Sequence, residues 1–364
     1  MEKLLKSAEE LSTISPEAAH AYDARKGLLT ERVNVELSDR KDLSDLIGGR
    51  ASIELMEDNH RNHSMFLTTV LHLNAFHLLA SVVPWVYRAY SQHGFSFSYF
   101  PVALQAWKAA IRKELPAVFC DEILPVYDWM LNHHIQVVKI VERPTHKAEK
   151  NLPPEAEKFI DALLSQDFGR AVKQAEEHCE TGNSLELFYQ GSVKPAMYEI
   201  GNRWERGEIS VAEEHLATAV AQIVVSTLQG KMFPVTKRRG RAVVAASVGE
   251  LHDLGARMIS HCLEVDGWEV IFLGANLPLV DLINFVQKTK PEFVGLSVAM
   301  PYHLHYVKKV VDKFKADPEL SKVPLLIGGQ VFSMFPEASS LIPGATIVND
   351  LEDAIKHARR FGSV

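Results

Sequence analysis

From residue 240 onward, short apolar runs alternate with amphipathic stretches. The runs are Arg241 to Val248, Glu269 to Leu273, Phe293 to Val298, Pro324 to Gly328 and Ala345 to Val348. Each is almost continuously apolar, so none has the polar alternate positions of a strand with one wet face. Strands buried on both faces, with helices between them, predict a parallel, doubly wound sheet of the Rossmann-like (flavodoxin-like) kind. In such sheets ligands sit outside the carboxyl ends of the strands, on the loops that lead into helices. A ligand site is therefore expected on those loops.

Upstream the period changes to that of helices. Residues 155–236 are broken at Gly169, at Gly182-Asn183 and at Gly207, which predicts a four-helix bundle. Ser210 with Glu213 three residues later is a capping box, so a helix starts at Val211. Residues 1–148 read as all-helical, punctuated by Pro84, Gly94 and Pro101. Arg143 to Pro154 is polar and proline-bearing, as a linker would be. Three domains follow: 1–148, 155–236 and 240–364. A net charge of −7 over 364 residues gives no global field for nucleic acid. The local run Lys237, Arg238, Arg239 and Arg241 reads as a solvated linker. Cys120, Cys179 and Cys262 lie far apart, which argues against a disulfide framework and fits a cytoplasmic chain. The longest apolar stretch, Phe76 to Val86, is too short to span a bilayer.

The first strand-to-helix loop reads Glu250-Leu251-His252-Asp253-Leu254-Gly255. A lone loop histidine is ordinarily a surface residue. Here Glu250 stands two residues before it and could orient the ring as a metal-bound histidine requires, with Asp253 a second carboxylate nearby. Gly255 would admit close approach of a ligand or of the next helix. The segment resembles the cobalamin-binding domain of methionine synthases, mutases and corrinoid carriers, whose signature is Asp-x-His-x-x-Gly. Ser297 and the pair Gly328-Gly329 continue the resemblance, which spans residues 155–364. It implies that His252 ligates cobalt from below, while Ser297, Gly328 and Gly329 line a slot for the nucleotide tail. Glu250 in place of Asp is the form typical of light-dependent repressors of the MerR type.

The bundle adds Trp204, then nine residues, then Glu214-His215. Alone, Trp204 reads as a core tryptophan and Glu214 as favourable charge at a helix N-terminus. Together they resemble the cap of adenosylcobalamin photoreceptors. That resemblance implies an adenine lying on Trp204, a ribose held by Glu214 and His215, and photolysis of the cobalt–carbon bond that shifts the bundle.

MerR-type relatives carry a DNA-binding domain before the bundle, and nothing in residues 1–148 looks like one. Instead this region interleaves histidines, arginines and aromatic rings, and most of them read as core. An all-helical, globin-like domain ahead of such a module resembles the photocobilins. The resemblance implies non-covalent biliverdin, with His60, His63 and Arg88 as contacts and haem as the alternative. The expectation is thus a light sensor and not an enzyme. It would hold adenosylcobalamin and biliverdin, form a light-dependent homo-oligomer, contact neither DNA nor membrane, and signal to an output domain or protein that the chain does not encode. The alternative is a corrinoid carrier that shuttles methyl groups between methyltransferases.

Overall fold

The computed structural model describes residues 1–48, 53–143, 152–165, 167–178, 182–229 and 239–362. Cys179, Lys237, Arg238 and residues 144–151 of the linker lie outside the described residues. The chain divides into two compact units, Met1–Lys147 with Glu205–Gly207, and Ala148–Trp204 with Glu208–Val364.

The first unit holds α1 (Glu2–Ala8), α2 (Pro16–Ser38), α3 (Leu43–Ile47), α4 (Ile53–Leu73), α5 (Phe76–Gln92), α6 (Tyr99–Glu114), α7 (Ala117–Asn132) and α8 (His134–Val141). Ser15 starts α2 by accepting the Ala18 amide at 3.2 Å, with Pro16 set in the first turn where no amide is needed. The long α2 packs on α4 and α6. Tyr22, Leu29, Val33 and Leu37 of α2 and Met56, Leu67 and Val70 of α4 have no solvent exposure. Pro84 and Pro125 lie inside α5 and α7, where each removes one backbone hydrogen bond.

In the second unit the bundle comprises α9 (Pro154–Leu164), α10 (Phe168–His178), α11 (Gly182–Phe188), a π-turn at Tyr189–Val193, α12 (Lys194–Glu205) and α13 (Val211–Gln229). The capping box forms: the Ser210 amide donates to Glu213 Oε2 at 2.7 Å, and the Glu213 amide to Ser210 Oγ at 3.2 Å. The sheet comprises β1 (Gly240–Ala246), β2 (Trp268–Phe272), β3 (Phe293–Ser297), β4 (Leu325–Gly328) and β5 (Thr346–Ile347), ordered β2-β1-β3-β4-β5 and parallel throughout. Between them run α14 (Leu254–Val265), α15 (Leu279–Thr289), α16 (Leu304–Ala316), α17 (Gln330–Met334) and α18 (Leu351–Ala358). This is a parallel-sheet, Rossmann-like domain.

Bundle and sheet share one core. Phe159, Ile160, Phe188, Val224 and Val225 join Ala242, Val244, Leu263, Trp268 and Phe293 in a single buried cluster. Each large apolar side chain there contributes about 1.5–3 kcal/mol relative to exposure. No helix among the described residues is long and apolar enough to cross a membrane.

Candidate functional site

β1 and β3 are neighbours, and the chain winds outward from them in opposite directions, so the loops after them flank the switch point of the sheet. The loop after β1 begins with Ser247, whose amide donates to Ser297 O at 2.8 Å. Gly249 then takes φ +76°, a turn that places the next residue, Glu250, back under the loop with no solvent exposure. Glu250 Oε1 accepts from His252 Nδ1 at 2.5 Å and from the His252 amide at 3.0 Å. Its other oxygen crosses the switch point and accepts from the amides of Ala299 at 2.9 Å and Met300 at 3.1 Å. One buried carboxylate therefore ties the loop after β1 to the loop after β3.

The electrostatics follow from that geometry. Burial alone would raise the Glu250 pKa, but the hydrogen bond and charge of His252 outweigh it and hold the carboxyl at about 2. The hydrogen bond to Glu250 raises His252 against the effect of burial, with the charges of Glu250, Glu214 and Asp253 adding to it. A ring that donates from Nδ1 presents the Nε2 lone pair outward when neutral. The His252 side chain is 59% exposed above a fully buried Glu250, as a ligand poised for an incoming metal should be.

The loop glycines divide by cause. A Cβ on Gly328 would lie 3.0 Å from Val348 O, and one on Gly329 would lie 2.0 Å from Val298 O with φ at +126°. Both are required by the packing of β3, β4 and β5 and need no ligand to explain them. Gly255 is different: a Cβ there would meet Ser297 Oγ at an ordinary 3.5 Å. Ser247 Oγ is fully buried beside these loops and has no hydrogen-bond partner among the described residues. Such an orphaned group is expected where a polar ligand completes the site.

On the bundle, Trp204 lies half-buried in the last turn of α12, and Glu214 lies half-buried in the first turn of α13. His215, 74% exposed, donates from Nδ1 to Glu214 at 2.6 Å, and Thr218 donates to the other Glu214 oxygen at 2.9 Å. The charge of Glu214 is among those that raise the His252 pKa. Asp253, although adjacent to His252, turns away from it. Its carboxylate accepts from Gln222 of α13 at 3.2 Å and from Arg257 at 3.3 Å.

In the helical unit, His60 is 1% exposed and has both ring nitrogens engaged, Nδ1 with Asn34 Oδ1 at 2.5 Å and Nε2 with the Tyr99 hydroxyl at 2.8 Å. His63 Nε2 hydrogen-bonds with the Tyr127 hydroxyl at 3.2 Å, and Tyr127 in turn pairs with Tyr22 at 2.9 Å. Burial lowers the two histidines to about 4 and about 3, so both are neutral near pH 7. Arg88 is half-buried on α5. Arg61 forms an exposed ion pair with Asp58.

Sequence reasoning had no means to find Gln222 or the Ala299 and Met300 amides. The one available signal was the extra methylene of Glu250 over Asp, which lengthens its reach.

Among the described residues no three His, Cys, Asp or Glu side chains cluster into a metal site. A single oriented histidine suits a metal that arrives with its equatorial ligands already in place, as cobalt does in a corrin. Together with the orphaned Ser247 hydroxyl, this donor set fits a cobalamin.

Comparison with known proteins agrees. Residues 155–229 and 240–358 each match a family model described as a B12 binding domain. Dimethylamine corrinoid protein 2 of Methanosarcina acetivorans is 24% identical over 175 residues, covering 48% of this chain and 81% of the relative. The dimethylamine corrinoid protein of Methanosarcina barkeri is 27% identical over 175 residues, covering 48% and 82%. Among solved structures, the monomethylamine corrinoid protein of Methanosarcina barkeri aligns with a TM-score of 0.48 and 19% identity, over 56% of this chain and 96% of that one. The relatives named as methylamine corrinoid proteins overturn the expectation of a light sensor, and with it that of a light-dependent homo-oligomer signalling to an output. In the structure Trp204 lies in the last turn of α12, and Glu214 and His215 stand in the first turn of α13, which the Ser210–Glu213 capping box starts. Residues 155–229 and 240–358 are B12-binding domains, and the chain is a cobalamin-binding protein.

Proposed function

We propose that this chain is a corrinoid carrier, which presents a methyl group to one methyltransferase and receives it from another. The observation that carries the reading is the Glu250–His252 pair, an exposed imidazole fixed from beneath by a buried carboxylate. Support comes from the names of the relatives, which are corrinoid proteins of dimethylamine. When bound, the cobalt supplies the bond that carries the methyl group. His252 would hold it from below, and Glu250 would keep the imidazole in the Nδ1–H tautomer and balance its charge. The half-buried Trp204 and the Glu214–His215 pair would cover the opposite side and limit access by water. In this reading the chain turns over no substrate of its own, and its partners are methyltransferases.

Two finer expectations from the sequence find little to support them. An adenosyl upper ligand rested on Trp204, Glu214 and His215, but a covering aromatic ring and an acidic helix N-terminus serve a methyl group equally well. Biliverdin rested partly on His60 and His63, yet the His60 ring and His63 Nε2 bond to protein.

The test is reconstitution of the whole chain with methylcobalamin or adenosylcobalamin in darkness, followed by each after illumination. A carrier binds methylcobalamin at least as tightly as adenosylcobalamin, and Trp204→Ala still binds it. Once reduced to the cob(I)alamin level and treated with methyl iodide, it should transfer the methyl group to a thiol acceptor when a methyltransferase is added. Rejection of methylcobalamin, or a methylated chain inert to every methyltransferase that accepts the related corrinoid proteins, would overturn the reading.

A further inference from the structure

Asp253 occupies the N-cap of α14 but makes no capping hydrogen bond. An N-cap aspartate ordinarily accepts an amide of the first turn, which stabilises a helix by about 1 kcal/mol. This one is 8% exposed, and its carboxylate is shared between Gln222 of α13 at 3.2 Å and Arg257 of α14 at 3.3 Å. A second tie joins the bundle to the same helix: the buried Tyr189 hydroxyl meets His261 Nδ1 at 2.7 Å. Tyr189 begins the π-turn, and such an insertion into a helix redirects the side chains around it. The bundle thus grips α14 at its leading residue and again two turns along.

The leading tie has consequences for the site because His252 immediately precedes Asp253. The same α13 that carries Gln222 also carries Glu214, whose charge acts on His252. We propose that Gln222 is a positioning residue, which through Asp253 couples the placement of α13 to the placement of His252. The inference rests on the carrier reading, in which the covering helix has to move when a methyltransferase is admitted. With α13 docked, the Asp253 carboxylate is shared between Gln222 of α13 and Arg257 of its own helix. With α13 displaced, the carboxylate is released to cap α14 or to pair with Arg257 alone. The loop then has two arrangements, and His252 is held differently in each.

The experiment loads the full chain with cob(II)alamin and records the electron paramagnetic resonance spectrum, where an axial histidine nitrogen splits the cobalt lines. Gln222→Ala and Gln222→Glu are compared with Tyr189→Phe, which loosens the bundle at the other tie. The melting temperature of each cofactor-free variant is read in parallel. Expected for Gln222→Ala is a melting temperature within about 4 °C of the unaltered chain, while the ratio of histidine-bound to histidine-free cobalt falls about tenfold, as for loss of one hydrogen bond to a charged group. Gln222→Glu sets a second carboxylate against Asp253 and lowers the ratio further. Tyr189→Phe melts lower and keeps the unaltered ratio. An unchanged ratio in Gln222→Ala would overturn the proposal alone, as would an equal fall in Tyr189→Phe. An unaltered chain with no histidine splitting would overturn the carrier reading and the proposal together.

Discussion

The His60 network of the first unit and the His252 network of the second use the same residue type in opposite ways. His60 sits in the middle of α4 with both nitrogens bonded to Asn34 and Tyr99, 1% exposed and low in pKa. His252 sits on a loop with one nitrogen bonded to a carboxylate, 59% exposed and raised in pKa. Both rings are oriented, but only His252 keeps a nitrogen without a protein partner among the described residues. A neutral partner such as the half-buried Asn34 satisfies a histidine, whereas a buried carboxylate primes it. The difference teaches that a ligand histidine is recognised by what it leaves unsatisfied and by the charge behind it.

Five variants test this contrast, from the largest expected effect to the smallest. His252→Ala should abolish the axial nitrogen signature of bound cob(II)alamin outright, and a spectrum identical to the unaltered chain would remove His252 as the ligand. Glu250→Gln should weaken cobalamin binding by about 10–100-fold, measured by equilibrium titration. Its amide nitrogen would also confront either the His252 donors or the Ala299 and Met300 amides. Glu250→Asp should lose part of that affinity, because one carboxylate shortened by a methylene no longer spans both loops.

His60→Leu, by contrast, should leave the cobalt signature intact and cost about 1–3 kcal/mol in denaturant unfolding, because the buried Tyr99 hydroxyl is left unsatisfied. A shift in the cobalt spectrum would contradict the separation of roles drawn here.

The smallest effect is in pH. The folded-state pKa values of His60 and His63 lie below the ordinary 6.5, at about 4 and about 3. Between these values and 6.5 the unfolded chain binds more protons than the folded one, so stability falls as pH drops through that window. The His252 shift runs the other way, and its contribution is fully present below 6.5 and is lost as pH rises through its raised folded value. Replacing His63 with Gln should flatten the acid limb of a stability–pH curve for the first unit, and an unchanged limb would show that other groups set it.

Much of this was legible in the sequence, for reasons that particular residues make plain. All five apolar runs are strands, because a strand buried on both faces leaves a continuous apolar trace, as at Ala242 to Ala246. The Glu250–His252 pairing is local, two residues apart, and so could be read. Its second half could not, since Ala299 and Met300 reach Glu250 only once β1 and β3 are neighbours. The histidines of α4 misled for a related reason. Polar and aromatic residues mixed in one helical segment look the same whether they await a ligand or bond to Asn34, Tyr99 and Tyr127. The spacing from Trp204 to His215 suggested light sensing, but spacing records a turn between helices and not the task of the residues beside it.

The contrast between Gly329 and Gly255 bears on how this chain can vary. Every single-base change that replaces Gly329 installs a Cβ 2.0 Å from a backbone oxygen, so the position offers selection no neighbouring solution. Gly255 has room for alanine beside Ser297. A library of random variants sorted for folding alone, with no cofactor supplied, would therefore be empty at 329 and populated at 255. Sorting the survivors again for cobalamin retention would reveal whether 255 is held by the ligand, and separate the demands of the fold from those of the cargo at single-residue scale.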